Sequence, residues 1–193
     1  MAFKKLNKDK KIILSSNSPR RKQLLQEAGL KFEIRTFPTN EDYPVNLKGR
    51  EISEFLVKKK AIPFNKIKKD EIIITADTIV WVQNEHIGKP KDTLEAKSFL
   101  EKISNKEHEV ITSVCFTEKE KQTIISESTL VFFKRISNNE INYYLNNFSF
   151  LDKAGGYGIQ DWIGIIGVKK IVGSYTNVIG LPVSQVLETI QKL

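Results

Sequence analysis

Short apolar runs along the chain alternate with segments whose apolar residues have helical spacing. The clearest run, Ile72-Ile73-Ile74, predicts a buried strand that ends at Asp77, and the chain is expected to continue extended over Ile79–Val82. Two long apolar segments on either side of Glu118–Lys121 predict a β-hairpin. The strands predicted are Lys11–Leu14, Lys31–Thr36, Glu71–Ala76, His108–Thr117 and Gln122–Phe133.

Residues that cap helices well mark the helix starts. Ser18 suits an N-cap and Pro19 the first position of a helix that Gly29 ends. Four more helices are predicted from similar signals: at Asp92 with Glu95, at Ser137 with Glu140, around Ile52 to Ile62 before Pro63, and after Pro182. Residues 155–180 form a glycine-rich segment, and Gly173 to Pro182 is interpreted as a glycine-bounded loop before a helix.

This order of elements predicts an α/β fold with a mixed sheet, because helices alternate with strands and one antiparallel hairpin interrupts them. The 193 residues suit one domain, or two lobes that share one cleft. Residues 11–193 are predicted to form a single domain, and residues 1–10 a basic tail.

The formal net charge of +8 indicates a second class of function besides an enzyme. Such a charge favours a nucleic-acid-binding or regulatory protein as the alternative to an enzyme. Aromatic residues are not interleaved with the lysines that carry much of the charge, so a solvated surface is the preferred interpretation.

Cysteine content and hydropathy bear on the expected location. The single cysteine, Cys115, cannot form an internal disulfide, which favours a reducing compartment. The N-terminus does not have the pattern of a signal peptide, and no apolar run approaches the ~20 residues that span a bilayer. The expected location is the cytoplasm, with no membrane partner.

The segment Ser15-Ser16-Asn17-Ser18-Pro19-Arg20-Arg21-Lys22 is the first with candidate chemistry. The N-terminus of a helix already carries a partial positive charge, which the cations in this first turn oppose. They make sense if an anion binds here, where backbone N–H groups, serine hydroxyls and guanidinium groups converge on phosphate. A solvated helix end explains the same residues equally well.

Asp77 and the segment Asp152 to Gln160 are further candidates. A carboxylate at the carboxyl end of a buried strand can act as a general base or bind a divalent cation, although a lone aspartate more often caps a turn. Glycines in the second segment permit close approach of a ligand, and Gln160 can pair with a base edge or a sugar hydroxyl. Glu41, Lys60 and Lys89 read singly as surface charges, but together with the arginines they could neutralise a triphosphate and its metal.

Taken in order, these stretches resemble the Maf family of nucleotide pyrophosphatases. The matching pieces are Ser15 to Arg21, Ala76-Asp77-Thr78-Ile79-Val80, Gly88-Lys89-Pro90, Asp152 to Gln160 and Gly173 to Pro182. Their common order and spacing, from residue 12 to the C-terminus, make the resemblance specific.

The resemblance implies a mixed twisted sheet in two α/β lobes around a deep cleft, related to the inosine triphosphate pyrophosphatases. It implies hydrolysis between the α and β phosphates with a divalent metal, Mg²⁺ or Mn²⁺, and Asp77 as the base. Ser16, Arg20, Arg21, Lys60 and Lys89 are implied to bind substrate. Asp77 and Glu41 are implied to bind the metal, with Asp42 as the alternative to Glu41. Asn40 stands where family members often have an aspartate, which leaves the number of metal-binding carboxylates open.

The resemblance also implies a substrate. Arg20, Thr78 and Gln160 match the branch of the family that cleaves dTTP and UTP, so the expected partner is one of these nucleotides. The sequence leaves open whether the protein forms a homodimer and whether it has the role in division control that the family suggests. Binding to nucleic acid is not expected, because a carboxylate such as Asp77 repels phosphate unless a metal ion intervenes.

Overall fold

The computed structural model describes residues 10–64 and 66–193. Its strands are β1 (Lys11–Ser15), β2 (Glu33–Ile34), β3 (Glu71–Val82), β4 (Glu85–Ile87), β5 (Glu107–Thr117), β6 (Gln122–Phe133) and β7 (Val168–Val172). Its helices are α1 (Pro19–Glu27), α2 (Arg50–Ala61), α3 (Thr93–Ile103), α4 (Asn138–Asn147), α5 (Trp162–Gly167), α6 (Tyr175–Ile179) and α7 (Val183–Lys192).

All seven strands belong to one mixed sheet with the order β2-β1-β3-β5-β6-β7, and β4 pairs with β3. β1 is parallel to β2 and β3, whereas β5, β6 and β7 each run antiparallel to the strand before them in this order. The long strands β3 and β5 pair continuously from Ile73 to Trp81 on β3. The predicted α/β fold with a mixed sheet is confirmed.

Two hydrophobic cores lie at opposite ends of these long strands. One joins β1 and the start of β3 to α1 and α7, through buried residues such as Leu25, Ile72 and Val186. The other joins the end of β3 to α3, α4 and α5, through residues such as Val80 and Leu100. Each core is the centre of one lobe, and the cleft described below lies between the two lobes.

The helix starts predicted from sequence are confirmed. The Ser18 side chain accepts a hydrogen bond from the Arg21 backbone N–H, with Pro19 as the first helical residue. Asp92 accepts from the N–H of Glu95, and Ser137 forms a full capping box with Glu140. These caps satisfy N–H groups that a helix start would otherwise leave without partners.

Three other predictions need correction. β3 does not end at Asp77, because pairing with β5 continues through that residue. β2 covers two residues rather than the six of 31–36. The stretch Gly173 to Pro182 is not only a loop, since it contains α6, and α5 and β7 before it were not predicted. Of the tail predicted at residues 1–10, only Lys10 lies within the described residues, and its Nζ contacts Glu118 at 3.1 Å.

The continuation of β3 through Asp77 determines where the cleft lies. On the edge of β3 that faces away from β5, β1 pairs only as far as Thr75 and β4 begins at Val80. Between them, residues 76–79 lack a neighbouring strand on that edge. Since side chains of a strand alternate between faces, Asp77 and Thr78 point to opposite sides of the sheet, yet both reach this opening.

No helix among residues 10–64 and 66–193 has the length and apolar character to cross a membrane.

Candidate active site

The opening in the sheet leads into a cleft of about 660 Å³, within the range usual for ligand sites. Residues from both lobes line it. The cleft brings together every site residue that the sequence suggested, namely Ser16, Arg20, Arg21, Glu41, Lys60, Asp77, Thr78, Lys89 and Gln160. A concave site with several charged groups of both signs is suited to binding a small polyanionic ligand rather than the flat surface of a macromolecule.

Asp77 lies on the face of the sheet that α2 covers, and there it meets a lysine. Lys60, in the last turn of α2, places its Nζ 2.5 Å from Asp77 Oδ1 and 2.8 Å from Glu41 Oε1. Lys89 Nζ lies 3.6 Å from the other carboxylate oxygen of Glu41. Asp77 is 7% exposed, so its charge is largely shielded from water. We call Glu41, Lys60, Asp77 and Lys89 the carboxylate–lysine cluster.

Glu41, rather than Asp42, belongs to this cluster. The side chain of Asp42 accepts a hydrogen bond from Asn40 instead, at 2.6 Å. Burial alone would raise the pKa of Glu41, but the ammonium groups of Lys60 and Lys89 outweigh burial and hold that pKa below its ordinary value. Glu41 is therefore ionised at neutral pH and can attract a cation.

Glu41 and Asp77 could together hold a divalent cation. Among the described residues, no three His, Cys, Asp or Glu side chains are grouped as a metal site. Glu41 and Asp77 nevertheless face a single ammonium group, so both can face one cation. Mg²⁺ is typically held by one or two carboxylates together with substrate phosphates, and this donor set has that composition.

The opposite face of the opening carries the arginines. Arg20 donates from Nη1 to Asp152 Oδ2 at 2.5 Å and from Nη2 to the Asp152 carbonyl at 2.9 Å. These bonds cross the cleft, because Arg20 lies in α1 of one lobe and Asp152 in the other. Burial alone would raise the pKa of Asp152, but Arg20 and Lys153 outweigh it and hold that pKa below its ordinary value.

The loop of the second lobe is shaped by glycines. Gly155 and Gly156 have φ of 72° and 70°, which side chains disfavour, and a Cβ on Gly155 would lie 3.1 Å from Val80. The loop turns so that Gln160 is exposed at the cleft. In the described part of the chain the Gln160 amide makes no hydrogen bond to protein, so both its donor and acceptor are open to a ligand.

Several residues in or beside the cleft were not singled out from the sequence. His86 lines the cleft, and its Nδ1 lies 2.7 Å from the Tyr43 hydroxyl, an interaction that ties the Glu41 loop to β4. Burial lowers the pKa of His86. Lys153 is a buried lysine whose Nζ lies 3.3 Å from both Asp152 and Asp161. A lone histidine in a strand gives no sequence signal, whereas Asp152-Lys153 stands inside a motif already noted.

A buried histidine behind the glycine loop predicts how stability depends on pH. His108 is 2% exposed and its Nε2 lies 2.6 Å from the Tyr157 hydroxyl. Burial lowers the pKa of His108 to about 4. The unfolded chain, with an ordinary pKa of about 6.5, takes up a proton first as pH falls, so stability is lost between about pH 6.5 and pH 4.

We therefore expect the free energy of unfolding to drop by about 2 kcal/mol between pH 7 and pH 5 from His108 alone. Urea denaturation at the two pH values measures this drop. In a folded His108→Gln variant, which has no group titrating there, the drop should shrink by about that amount. An equal drop in both proteins would contradict the assignment.

Comparison with known proteins adds the family to this geometry. A "dTTP/UTP pyrophosphatase" of Flavobacterium psychrophilum is 50% identical over 177 residues, 91% of each chain. Another, of Christiangramia forsetii, is 46% identical over 99% of this chain and 98% of its own. The solved Staphylococcus aureus Ham1 protein aligns at 13% identity and a TM-score of 0.43 over 64% of this chain and 72% of its own, too weakly for an argument. The model of the Maf family, described as "Maf-like protein", matches residues 11–193, and the chain belongs to that family.

Proposed function

We propose that this protein hydrolyses dTTP and UTP to the nucleoside monophosphate and pyrophosphate. The observation that carries the proposal is the carboxylate–lysine cluster, which puts a base and two cations in the same cleft as the two arginines of α1. The printed names of the Flavobacterium and Christiangramia relatives support the choice of substrates. Free nucleotides as substrates agree with a cytoplasmic enzyme, which we propose as well.

The phosphates are proposed to lie at the start of α1. Ser16 and the backbone N–H of Arg20 offer donors there, since Pro19 has no N–H and the N–H of Arg21 is bonded to Ser18. The guanidinium of Arg20 adds a charged fork. To bind phosphate, Arg20 exchanges its bonds with Asp152 for bonds to the ligand. That exchange costs little free energy, because the side chain of Asp152 is 47% exposed and water screens its ion pair with Arg20.

Asp77 is proposed to accept the proton of the attacking water. The water oxygen forms a bond to the α-phosphorus, the bond from that phosphorus to the bridging oxygen breaks, and the bridging oxygen leaves with pyrophosphate. Lys60 and Lys89 offset the negative charge that develops on the leaving group. Glu41 and Asp77 would hold the divalent cation, which when bound neutralises phosphate charge and polarises the phosphoryl oxygens.

The +8 charge alone would also fit a nucleic-acid-binding or division-regulating protein. A nucleic-acid-binding function gives no role to Glu41 and Asp77 inside the cleft, since carboxylates repel a phosphate backbone unless a cation intervenes. The lysines outside the cleft remain a solvated surface in our proposal. Whether two copies form a homodimer has no bearing on the chemistry proposed, because one chain supplies every residue named.

The products test this proposal. The purified protein is incubated with UTP and Mg²⁺ or Mn²⁺, and the nucleotides and phosphates are separated. We expect UMP and pyrophosphate in equal amounts. UDP with orthophosphate would indicate cleavage of the other anhydride bond, and no turnover of UTP or dTTP would reject the proposed function.

Arg20→Ala gives a second prediction, on binding. Removing a charge-assisted contact to phosphate is expected to raise KM for dTTP about tenfold or more, since such bonds contribute about 1.5–3 kcal/mol. The melting temperature should change by less than about 3 °C, because the ion pair that is lost is partly exposed. Lys22→Ala, an exposed cation on the same helix, is the matched control. A large fall in melting temperature with unchanged kinetics would make Arg20 a purely structural residue.

A further inference from the structure

The guanidinium of Arg21 is engaged by the protein itself. Nε donates to the Gly180 carbonyl at 2.8 Å, and Nη1 donates to the Ala76 carbonyl at 2.8 Å and to Ser16 Oγ at 3.3 Å. Nη2 donates to Thr78 Oγ1 at 2.9 Å. A guanidinium has five N–H groups, so these bonds leave one for a ligand. Arg20, by contrast, bonds only to Asp152 in the described part of the chain.

Two of these acceptors flank Asp77. β1 pairs with β3 only as far as Thr75, so Ala76 lies where the neighbouring strand has ended. Arg21 takes the place of that strand by binding the Ala76 carbonyl, and it also binds the side chain of Thr78. The backbone that carries Asp77 is thereby held from both sides at the point where the sheet opens.

The hydroxyl of Thr78 is fixed by the same contacts. It accepts from Arg21 and lies 3.0 Å from Thr112 Oγ1, whose own proton can go to the Asn177 carbonyl at 3.1 Å. Thr78 then donates to Thr112. If Thr112 instead donates to Thr78, the Thr78 proton goes to Gly180 at 3.4 Å. In both arrangements this proton stays inside the protein, so Thr78 cannot donate to a ligand. In the first arrangement the second lone pair of its oxygen is free, so there it can accept from a ligand.

We propose that Arg21 is a positioning residue and not a phosphate ligand: its guanidinium clamps the residues on both sides of Asp77 and fixes the Thr78 hydroxyl as an acceptor. This assignment rests on the proposed function. It revises the role that the family resemblance implies for Arg21, while leaving the phosphate-binding role to Arg20.

Arg21→Lys tests the clamp, because lysine keeps the charge and loses the fork that reaches several oxygens at once. We expect kcat for dTTP to fall at least about tenfold, since small displacements of a catalytic group are costly. KM should change less than about threefold, and the melting temperature should fall by about 4 °C or more. Lys22→Ala, with an unchanged melting temperature and unchanged kinetics, is the control.

A raised KM with unchanged kcat would show that Arg21 binds phosphate and would overturn the proposal. A lower melting temperature with unchanged kinetics would make the residue merely structural, which also overturns it. Should wild-type protein fail to cleave dTTP and UTP, the proposed function fails and the positioning role fails with it; the melting temperature of Arg21→Lys then reports only on the internal contacts of Arg21.

Thr112 provides a second variant, in case Arg21→Lys does not fold. Thr112 is buried in β5 and does not line the cleft. Thr112→Val removes the acceptor for the Thr78 proton and is expected to lower kcat/KM for dTTP about threefold or more, within the cost of one hydrogen bond. Thr112→Ser keeps the hydroxyl and should restore the wild-type value. Equal values for the two variants would show that Thr112 does not orient the Thr78 hydroxyl and would overturn that part of the proposal.

Discussion

Asp77→Asn is expected to lower kcat for dTTP at least about 100-fold, the lower end for loss of a general base. The amide keeps the size of the side chain but cannot accept the water proton. It also removes one of the two carboxylates that would hold the divalent cation, and it turns a close ion pair with Lys60 into a contact between neutral and charged groups. Steady-state kinetics with pyrophosphate release as the readout measures the effect.

Asp42→Asn is the matched control for this substitution. It makes the same chemical change next to Glu41, at a side chain that contacts Asn40 and does not line the cleft. We expect it to keep kcat within about twofold of wild type, as is usual for surface substitutions. Near-normal turnover in a folded Asp77→Asn variant would remove Asp77 from the mechanism.

The second large effect is the choice of base. Uracil and thymine present two carbonyl acceptors on either side of one N–H donor. The exposed amide of Gln160 has a free donor and a free acceptor, and the Thr78 hydroxyl can accept. Cytosine replaces a carbonyl with an amino group, so a polar group that the bound base covers would lack a partner, which costs about 1–3 kcal/mol. We therefore expect kcat/KM for dTTP and UTP to exceed that for CTP by about 5- to 150-fold.

Purine nucleotides should also be poor substrates, since a second ring shifts the hydrogen-bonding edge of the base relative to Gln160. The ratio of kcat/KM values at one metal concentration tests both expectations. Gln160→Ala is expected to lower kcat/KM for dTTP and to reduce its ratio to CTP. Equal values for dTTP and CTP in the wild-type protein would defeat the substrate assignment and leave the pyrophosphatase assignment standing.

Much of the fold followed from local signals in the sequence. The caps of α1, α3 and α4 depend on neighbouring residues, so Ser18, Asp92 and Ser137 marked those helices correctly. The continuation of β3 through Asp77 depends on its pairing with β5, which no local pattern specifies. α5 contains Gly164, where a Cβ would lie 2.2 Å from the Ile159 carbonyl oxygen, so the close approach of the preceding turn rather than helix propensity explains that glycine.

For the site, too, the sequence predicted what depends on local motifs and missed what depends on contacts between distant residues. Motifs in the sequence and the family resemblance together supplied all nine candidates, and the structure brings them into one cleft. It could not supply their partners, because contacts such as Lys60 with Asp77 or Arg20 with Asp152 join distant parts of the chain. The internal contacts of Arg21 belong to this second kind, and they distinguish two adjacent arginines that look alike in the sequence.

The central claim is that water attacks the α-phosphorus of the nucleotide in this cleft. Hydrolysis of UTP in water enriched with ¹⁸O, followed by mass spectrometry of both products, tests it most directly. Our account predicts one ¹⁸O atom in the phosphate of UMP and none in pyrophosphate. Label in pyrophosphate would place the attack at the β-phosphorus and would contradict the account.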